Sequence, residues 1–339
     1  MSGRLVLVAT SPRTPPGILS WPAWEALRRG PVLVRDAEHP QAPFLRAAGV
    51  ELTVAPTPDP TALVARAAAG EVVVWLSAGD PDTDFIRAVG LETARRGVEL
   101  HVVYGSHDPP GARLLDVVAV MDRLRSPGGC PWDAAQTHAS LKGYLIEETY
   151  EAYQALEDGD PVALREELGD VLLQVAFHAR LAEELPGAER WTIDDVAVDL
   201  VDKLVRRHPH VFADRSVADA AELERTWEES KAQEKGRTSV TDGVPLSLPS
   251  LALAAKLQRR AARLGVPDVP LPAGPGGELW SLVGRLSSDG VDAEEALRAA
   301  ARHFRDQLAA IETAVRRQGG DPATLTPEEW RGRWAEADG

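Results

Sequence analysis

The spacing of apolar residues changes period once along the chain, and that change divides it. Up to about residue 105, short β-rich runs alternate with amphipathic stretches. The runs are Leu5–Ala9, Val32–Arg35, Leu52–Ala55, Val72–Leu76 and Val98–Tyr104; helical stretches such as Phe44–Ala48, Thr61–Ala69 and Phe85–Arg96 separate them. Short strands alternating with helices predict a mostly parallel sheet, so residues 1–108 are expected to form a small α/β domain. After Pro109-Pro110 the apolar positions recur with the helical period almost throughout. Gly111–Arg125 is amphipathic, Pro127–Asp133 is a turn-rich break, and long helical patterns follow at Ser140–Leu156, Pro161–Leu185 and Thr192–Arg207. Asp160-Pro161 offers an N-cap and a first-turn proline. Thr192 and Asp195 form a capping box in which Asp replaces the usual Glu or Gln.

This pattern predicts a helical domain over 111–236, a linker at 237–249 within the polar stretch Lys231–Pro249, and a helical segment over 250–339. In that last segment Leu251–Leu264 and Ala293–Arg317 read as helices split by the Pro/Gly-rich stretch Val266–Gly277.

Composition narrows the class. The chain has 339 residues, enough for two or three domains, and a 44% hydrophobic fraction that argues against disorder. Its net charge of -15 speaks against a nucleic-acid binder, which needs basic stripes for the phosphate backbone. Cys130 is the one cysteine, so no intramolecular disulfide can form, as expected of a cytoplasmic protein. No apolar run approaches the roughly 18 residues of a membrane span.

Two acidic clusters carry the chemistry: Glu147-Glu148-x-x-Glu151 and Glu166-Glu167-x-x-Asp170, on consecutive predicted helices. Side chains three or four apart share a helix face, so Glu147 and Glu148 lie beside Glu151, and Glu167 beside Asp170. Like charges at that spacing destabilise a helix by a few tenths of a kcal/mol per pair. A solvated charged face is the plain reading. Against it, apolar residues surround both clusters, namely Leu141, Tyr144, Leu145 and Tyr153 for the first and Leu168, Val171, Leu172 and Val175 for the second. Gly169 would permit close helix packing there. A hard cation such as Mg²⁺ would offset the repulsion.

The ordered series Gly129-Cys130-Pro131-Trp132-Asp133, Gln136-Thr137, Glu147-Glu148-Thr149-Tyr150-Glu151, Glu166-Glu167-Leu168-Gly169-Asp170, Asp202-Lys203-Leu204-x-Arg206-Arg207-His208-Pro209-His210-Val211-Phe212 and Trp227-Glu228 resembles the MazG nucleoside triphosphate pyrophosphohydrolases over about 115–235. The resemblance implies an all-α fold whose four-helix core is completed by homodimerisation, and hydrolysis of NTPs to NMP and pyrophosphate. It implies Mg²⁺ on Glu148, Glu151, Glu167 and Asp170, with Glu147 in the same motif. Four or five carboxylates exceed the need of one ion, and Glu147 is the candidate general base. Lys203 and Arg207 match the family's phosphate-contacting basic pair; by themselves they read as a surface dyad at a helix C-terminus. Trp132 is a candidate for stacking on a base, although an aromatic in a Cys-Pro-Trp turn is more readily a core anchor. His208 and His210 could ligate a metal, but such residues more often cap or pack a helix end, and an oxygen-rich site prefers Mg²⁺. Nothing near Cys130 forms the Cys/His pair a nucleophile needs.

The flanks read as worn copies. Gly277-Glu278-Leu279-Trp280 parallels Gly169-Asp170-Val171-Leu172, but Pro275 stands in place of Glu167 and Gln307 in place of Arg207. The C-terminal segment therefore cannot build the metal site and is expected to be structural or to help dimerisation. The N-terminal domain faintly resembles a tetrapyrrole (SAM-dependent) methylase domain, chiefly where Val72–Leu76 leads into Gly79-Asp80-Pro81. Its first strand runs into Thr10-Ser11-Pro12-Arg13-Thr14-Pro15-Pro16 instead of a glycine-rich turn, so a scaffold or regulatory role is expected. Two other classes fit the sequence less well. A non-catalytic nucleotide or alarmone sensor would need a damaged acidic motif, and a ferritin-type di-metal protein would need Glu-x-x-His pairs that are missing here.

Overall fold

The computed structural model describes residues 3–78, 83–213, 239–267, 271 and 273–337; the chain divides into two compact units, Met1–Lys203 and Leu204–Gly339. Trp227-Glu228 and Gly79-Asp80-Pro81, both part of the resemblances above, lie outside the described residues.

The first unit opens with five strands, β1 (Arg4–Thr10), β2 (Val32–Val34), β3 (Leu52–Val54), β4 (Val72–Ala78) and β5 (Glu99–Tyr104), all parallel in the order β3-β2-β4-β1-β5. The helices between them are α1 (Trp21–Leu27), α2 (Ala42–Ala47), α3 (Pro60–Ala68) and α4 (Thr83–Arg96). Strand alternation sends Val6, Val8, Val34, Val74 and Leu76 to one face, against Ala23, Ala26 and Leu27 of α1 and Leu45 of α2. The other face carries Leu5, Leu7, Leu33, Val73 and Trp75 against Leu63, Val64 and Ala67 of α3 and Val89 of α4. A sheet covered on both sides explains the unbroken apolar runs of its central strands.

Helices α5 (Leu114–Arg125), α6 (Pro131–Ala135), α7 (Lys142–Asp158), α8 (Pro161–Ala182) and α9 (Ile193–Arg207) complete this unit and continue one turn into the next. α7 and α8 pack side by side through a tight connection. Gly159 takes a left-handed φ of 65° that ends α7, and Asp160 caps α8 by accepting from the amides of Val162 and Ala163. α5 packs on α8 around Met121, Phe177 and Leu181, with Leu141, the residue before α7, buried among them. The expected capping box of α9 forms, with Thr192 N–H donating to Asp195 Oδ2 at 2.7 Å and Asp195 N–H to Thr192 Oγ1 at 3.3 Å.

The β1 loop is bolted to the helices. The Arg13 side chain, 5% exposed, donates from Nη1 to Asp108 at 2.6 Å, and from Nε and Nη2 to the two carboxylate oxygens of Asp116 in the first turn of α5 at 2.8 and 2.5 Å. The edge where parallel sheets usually receive ligands here anchors a neighbouring helix.

The second unit holds α10 (Pro209–Phe212), α11 (Ser250–Ala262), α12 (Pro275–Ser288), α13 (Ala293–Arg317) and α14 (Pro327–Ala337). α12 begins inside the stretch read as a Pro/Gly-rich break, because Pro275 is its first residue, where a missing N–H costs nothing. Among the described residues no helix is long and apolar enough to cross a membrane.

Candidate metal centre on the α7–α8 pair

The two acidic clusters meet where α7 lies against α8. One carboxylate oxygen from each of Glu148, Glu151 and Glu167 lies within 4.8 Å of the others. Opposite oxygens around an octahedral Mg²⁺ with bonds of about 2.0–2.1 Å stand roughly 4.2 Å apart. Small side-chain rotations therefore suffice for the three to share an ion, and an all-oxygen set suits a hard divalent cation. Glu148 is pushed above the usual carboxylate range by partial burial and then by Asp170, Glu151 and Glu147; Glu167 is pushed up by desolvation, Glu151, Asp170 and Glu166. Among the described residues, the charges acting on both come from other carboxylates. Glu148, Glu151 and Glu167 are thus brought together, while Asp170 acts as a neighbouring charge on Glu148 and Glu167, and Glu147 acts on Glu148.

Other expected residues stand elsewhere. Lys203 and Arg207 lie one turn apart on α9, a helix with no buried residue, and within the first unit Lys203 is not among the charges that shift Glu148 or Glu167. His208 Nδ1 contacts the Leu204 carbonyl at 2.6 Å, which is the capping role expected of it. Trp132 corrects the core-anchor reading: it is 51% exposed, and its ring meets Tyr144 edge-on with centroids 6.0 Å apart. Short α6 has no buried residue at all, so the turn displays its aromatic. Gly169 is a second correction. A Cβ placed there would meet nothing within 4 Å, so among the described residues it serves no close packing. Leu168, at 53% exposed, and Val175, at 38%, are likewise not covered by it.

Two features carried no assigned role in the sequence. Tyr144 precedes Glu148 by one helical turn and so shares its face, a spacing that was legible. His138, ahead of α7, and His178, on α8, place their Nδ1 atoms 2.7 Å apart with ring planes 3° from parallel and centroids 5.0 Å apart. That centroid spacing is the N···N distance plus about one ring radius on each side, so the imidazoles meet head to head and one proton bridges them. Forty residues separate them; no local pattern announces the pair.

Residues 136–212 match the MazG nucleotide pyrophosphohydrolase domain. The nucleoside triphosphate pyrophosphohydrolase of Mycolicibacterium smegmatis is 40% identical over 283 residues, 79% of this chain and 82% of that protein. The chain belongs to the MazG family. A MazG relative described as a nucleoside triphosphate pyrophosphohydrolase/pyrophosphatase, from Thermotoga maritima, is 38% identical over 256 residues, 68% of this chain and 97% of that one. An uncharacterized 26.1 kDa protein of Streptomyces cacaoi shares 54% identity over 217 residues, 63% of this chain and 88% of that one. The MazG match begins at Gln136, beyond the sheet, and holds all five carboxylates together with Lys203 and Arg207.

Proposed function

We propose that this MazG-family enzyme hydrolyses nucleoside triphosphates, canonical or damaged, to the monophosphate and pyrophosphate, using Mg²⁺ held by Glu148, Glu151, Glu167 and Asp170. The observation that carries the reading is the convergence of Glu148, Glu151 and Glu167 within 4.8 Å among charges of their own sign. A bound divalent ion supplies neutralisation of the triphosphate and a lowered pKa for water. The protein's own residues do the rest. The four carboxylates fix where the phosphates lie, and Glu147, outside the converging set, accepts the proton of the attacking water. Lys203 and Arg207 contact phosphate oxygens. Trp132 stacks on the base with Tyr144 as its edge-on support, since a half-exposed indole set against a tyrosine one helical turn from Glu148 offers a π-face at low desolvation cost.

The enzyme works as a homodimer. Ile146 and Leu156 of α7, Val162 and Leu168 of α8, and Val198 and Val201 of α9 are each more than half exposed in the single chain. Apolar area on this scale marks an interaction surface, and a second copy would complete a four-helix core. The domain roles follow: 1–108 as a scaffold, 111–236 as the catalytic domain, and 250–339 as a structural segment beyond the linker. The cytoplasm, where nucleotides are found, is the expected compartment.

The test is pyrophosphate release from a panel of NTPs and dNTPs, oxidised bases included, with and without Mg²⁺. Release that needs Mg²⁺ and vanishes in Glu148→Ala supports the proposal; full activity of that variant would sink it.

A further inference from the structure

We infer that Arg125 is a positioning residue for nucleotide binding: it fixes the turn that carries Trp132, and so the distance between the aromatic ledge and the acids. This rests on the ledge reading above. The Arg125 side chain is 4% exposed, so it cannot touch a nucleotide, and a charge so deep must have its donors satisfied. Nε and Nη2 form a two-pronged pair with Glu184 at 2.9 and 2.8 Å, and the guanidinium carbon stands 5.5 Å from the centre of the Phe177 ring. Glu184 is held below the usual carboxylate range first by Arg125, and it also accepts from Arg180 at 3.0 Å. Arg125 is thereby locked to the end of α8.

Its remaining nitrogen, Nη1, donates to the carbonyls of Asp133 and, at 3.5 Å, Gln136, at the C-terminal end of α6. From there short bonds lead to both sides of the ledge. The Gln136 amide donates to the Trp132 carbonyl at 3.0 Å, and Ser140 Oγ donates to Gln136 Oε1 at 2.7 Å. Thr137 and Ser140 exchange amide-to-hydroxyl bonds of 2.9 and 3.1 Å, and Leu141, 1% exposed, sets the start of α7. At the front of the turn, Cys130 N–H donates to the Leu124 carbonyl at 2.8 Å; Gly129 makes this possible, since a Cβ there would collide with the carbonyls of Arg123 and Leu124. One buried fork therefore sets Trp132 against Tyr144, and Tyr144 lies one turn from Glu148. A lysine keeps the charge but lacks the fork, and cannot hold Glu184 and two carbonyls together.

The test is steady-state pyrophosphate release by Arg125→Lys, Trp132→Ala and the double variant of the full chain, with Glu184→Gln as a milder break of the same fork. Stacking worth about 1–3 kcal/mol per base predicts that Trp132→Ala raises KM about tenfold with kcat little changed. Arg125→Lys should raise KM several-fold with the same kcat and the same Mg²⁺ midpoint, and the double variant should be no worse than Trp132→Ala, as coupled positions behave. Glu184→Gln should move KM in the same direction. A normal KM in both Arg125→Lys and Glu184→Gln beside a raised KM in Trp132→Ala overturns the role of Arg125 alone. Equal loss of kcat in Arg125→Lys, or additive effects, overturns it too. An unchanged KM in Trp132→Ala overturns the ledge, and the inference with it.

Discussion

Replacing Glu148 with glutamine should reverse its effect on stability according to whether metal is present. Without metal, Glu148 faces Asp170 across the helix pair and Glu151 and Glu147 along α7. Like charges along a helix cost about 0.2–0.5 kcal/mol per pair, so the neutral variant should be more stable than the native chain in EDTA by a few tenths of a kcal/mol. With metal the order inverts. An ion at roughly 100 times its Kd adds about 2.7 kcal/mol to the folded state. Weakening the site by about 100-fold leaves only about 0.4 kcal/mol at the same concentration, a net gap of about 2 kcal/mol in favour of the native chain. Thermal unfolding of both proteins in EDTA and in excess Mg²⁺ measures this directly. A native chain that gains nothing from Mg²⁺, or a variant that gains as much as the native chain, refutes the assignment of Glu148 as a ligand. Unequal gains with the variant less stable in EDTA would instead show that the carboxylates are not strained without metal.

Other expectations are independent of that one. Asp170→Ala should abolish pyrophosphate release at unchanged helicity, read by far-ultraviolet circular dichroism; retained turnover would exclude Asp170 from the site. Ile146→Glu, which puts a charge on a side chain 57% exposed in the single chain, should shift sedimentation toward a monomer, and an unchanged species would place the dimer surface elsewhere. Stability should fall as pH drops below 6.5 through His178 and His39. Burial first, and for His178 its neighbour His138, hold both below the ordinary 6.5. The unfolded chain then takes up their protons before the folded one does, so their contribution is present above pH 6.5 and lost on acidification. The denaturation midpoint of His178→Gln should be flatter than that of the native chain between about pH 7 and 5; parallel profiles would dismiss His178 as the source.

Much of this architecture could be read residue by residue. Asp160 and the Thr192/Asp195 box act within one helical turn, so their sequence spacing is their geometry. The strands were legible because Val6, Val8, Val74 and Leu76 bury one face while Leu5, Leu7, Val73 and Trp75 bury the other. Helix α12 was hidden, since Pro275 and the glycines after it look like a break unless the first turn is known to tolerate them. The helix Pro327–Ala337 falls inside the expected helical segment 250–339 but could not be delimited, for want of an apolar stripe among its charges.

The sequence by itself determined that Glu147, Glu148 and Glu151 share one helix face, that Glu167 and Asp170 share another, and that their order is that of MazG. Those are local facts, fixed by the rise and turn of a single helix. Which oxygens converge was decided by the way α7 crosses α8, and that crossing depends on packing around Leu141, Phe177 and Leu181 and on the turn at Gly159. Tertiary structure alone turned Trp132 outward, joined His138 to His178 and buried Arg125 beneath the turn. Each of these depends on contacts between residues far apart in sequence, and no periodicity encodes such contacts.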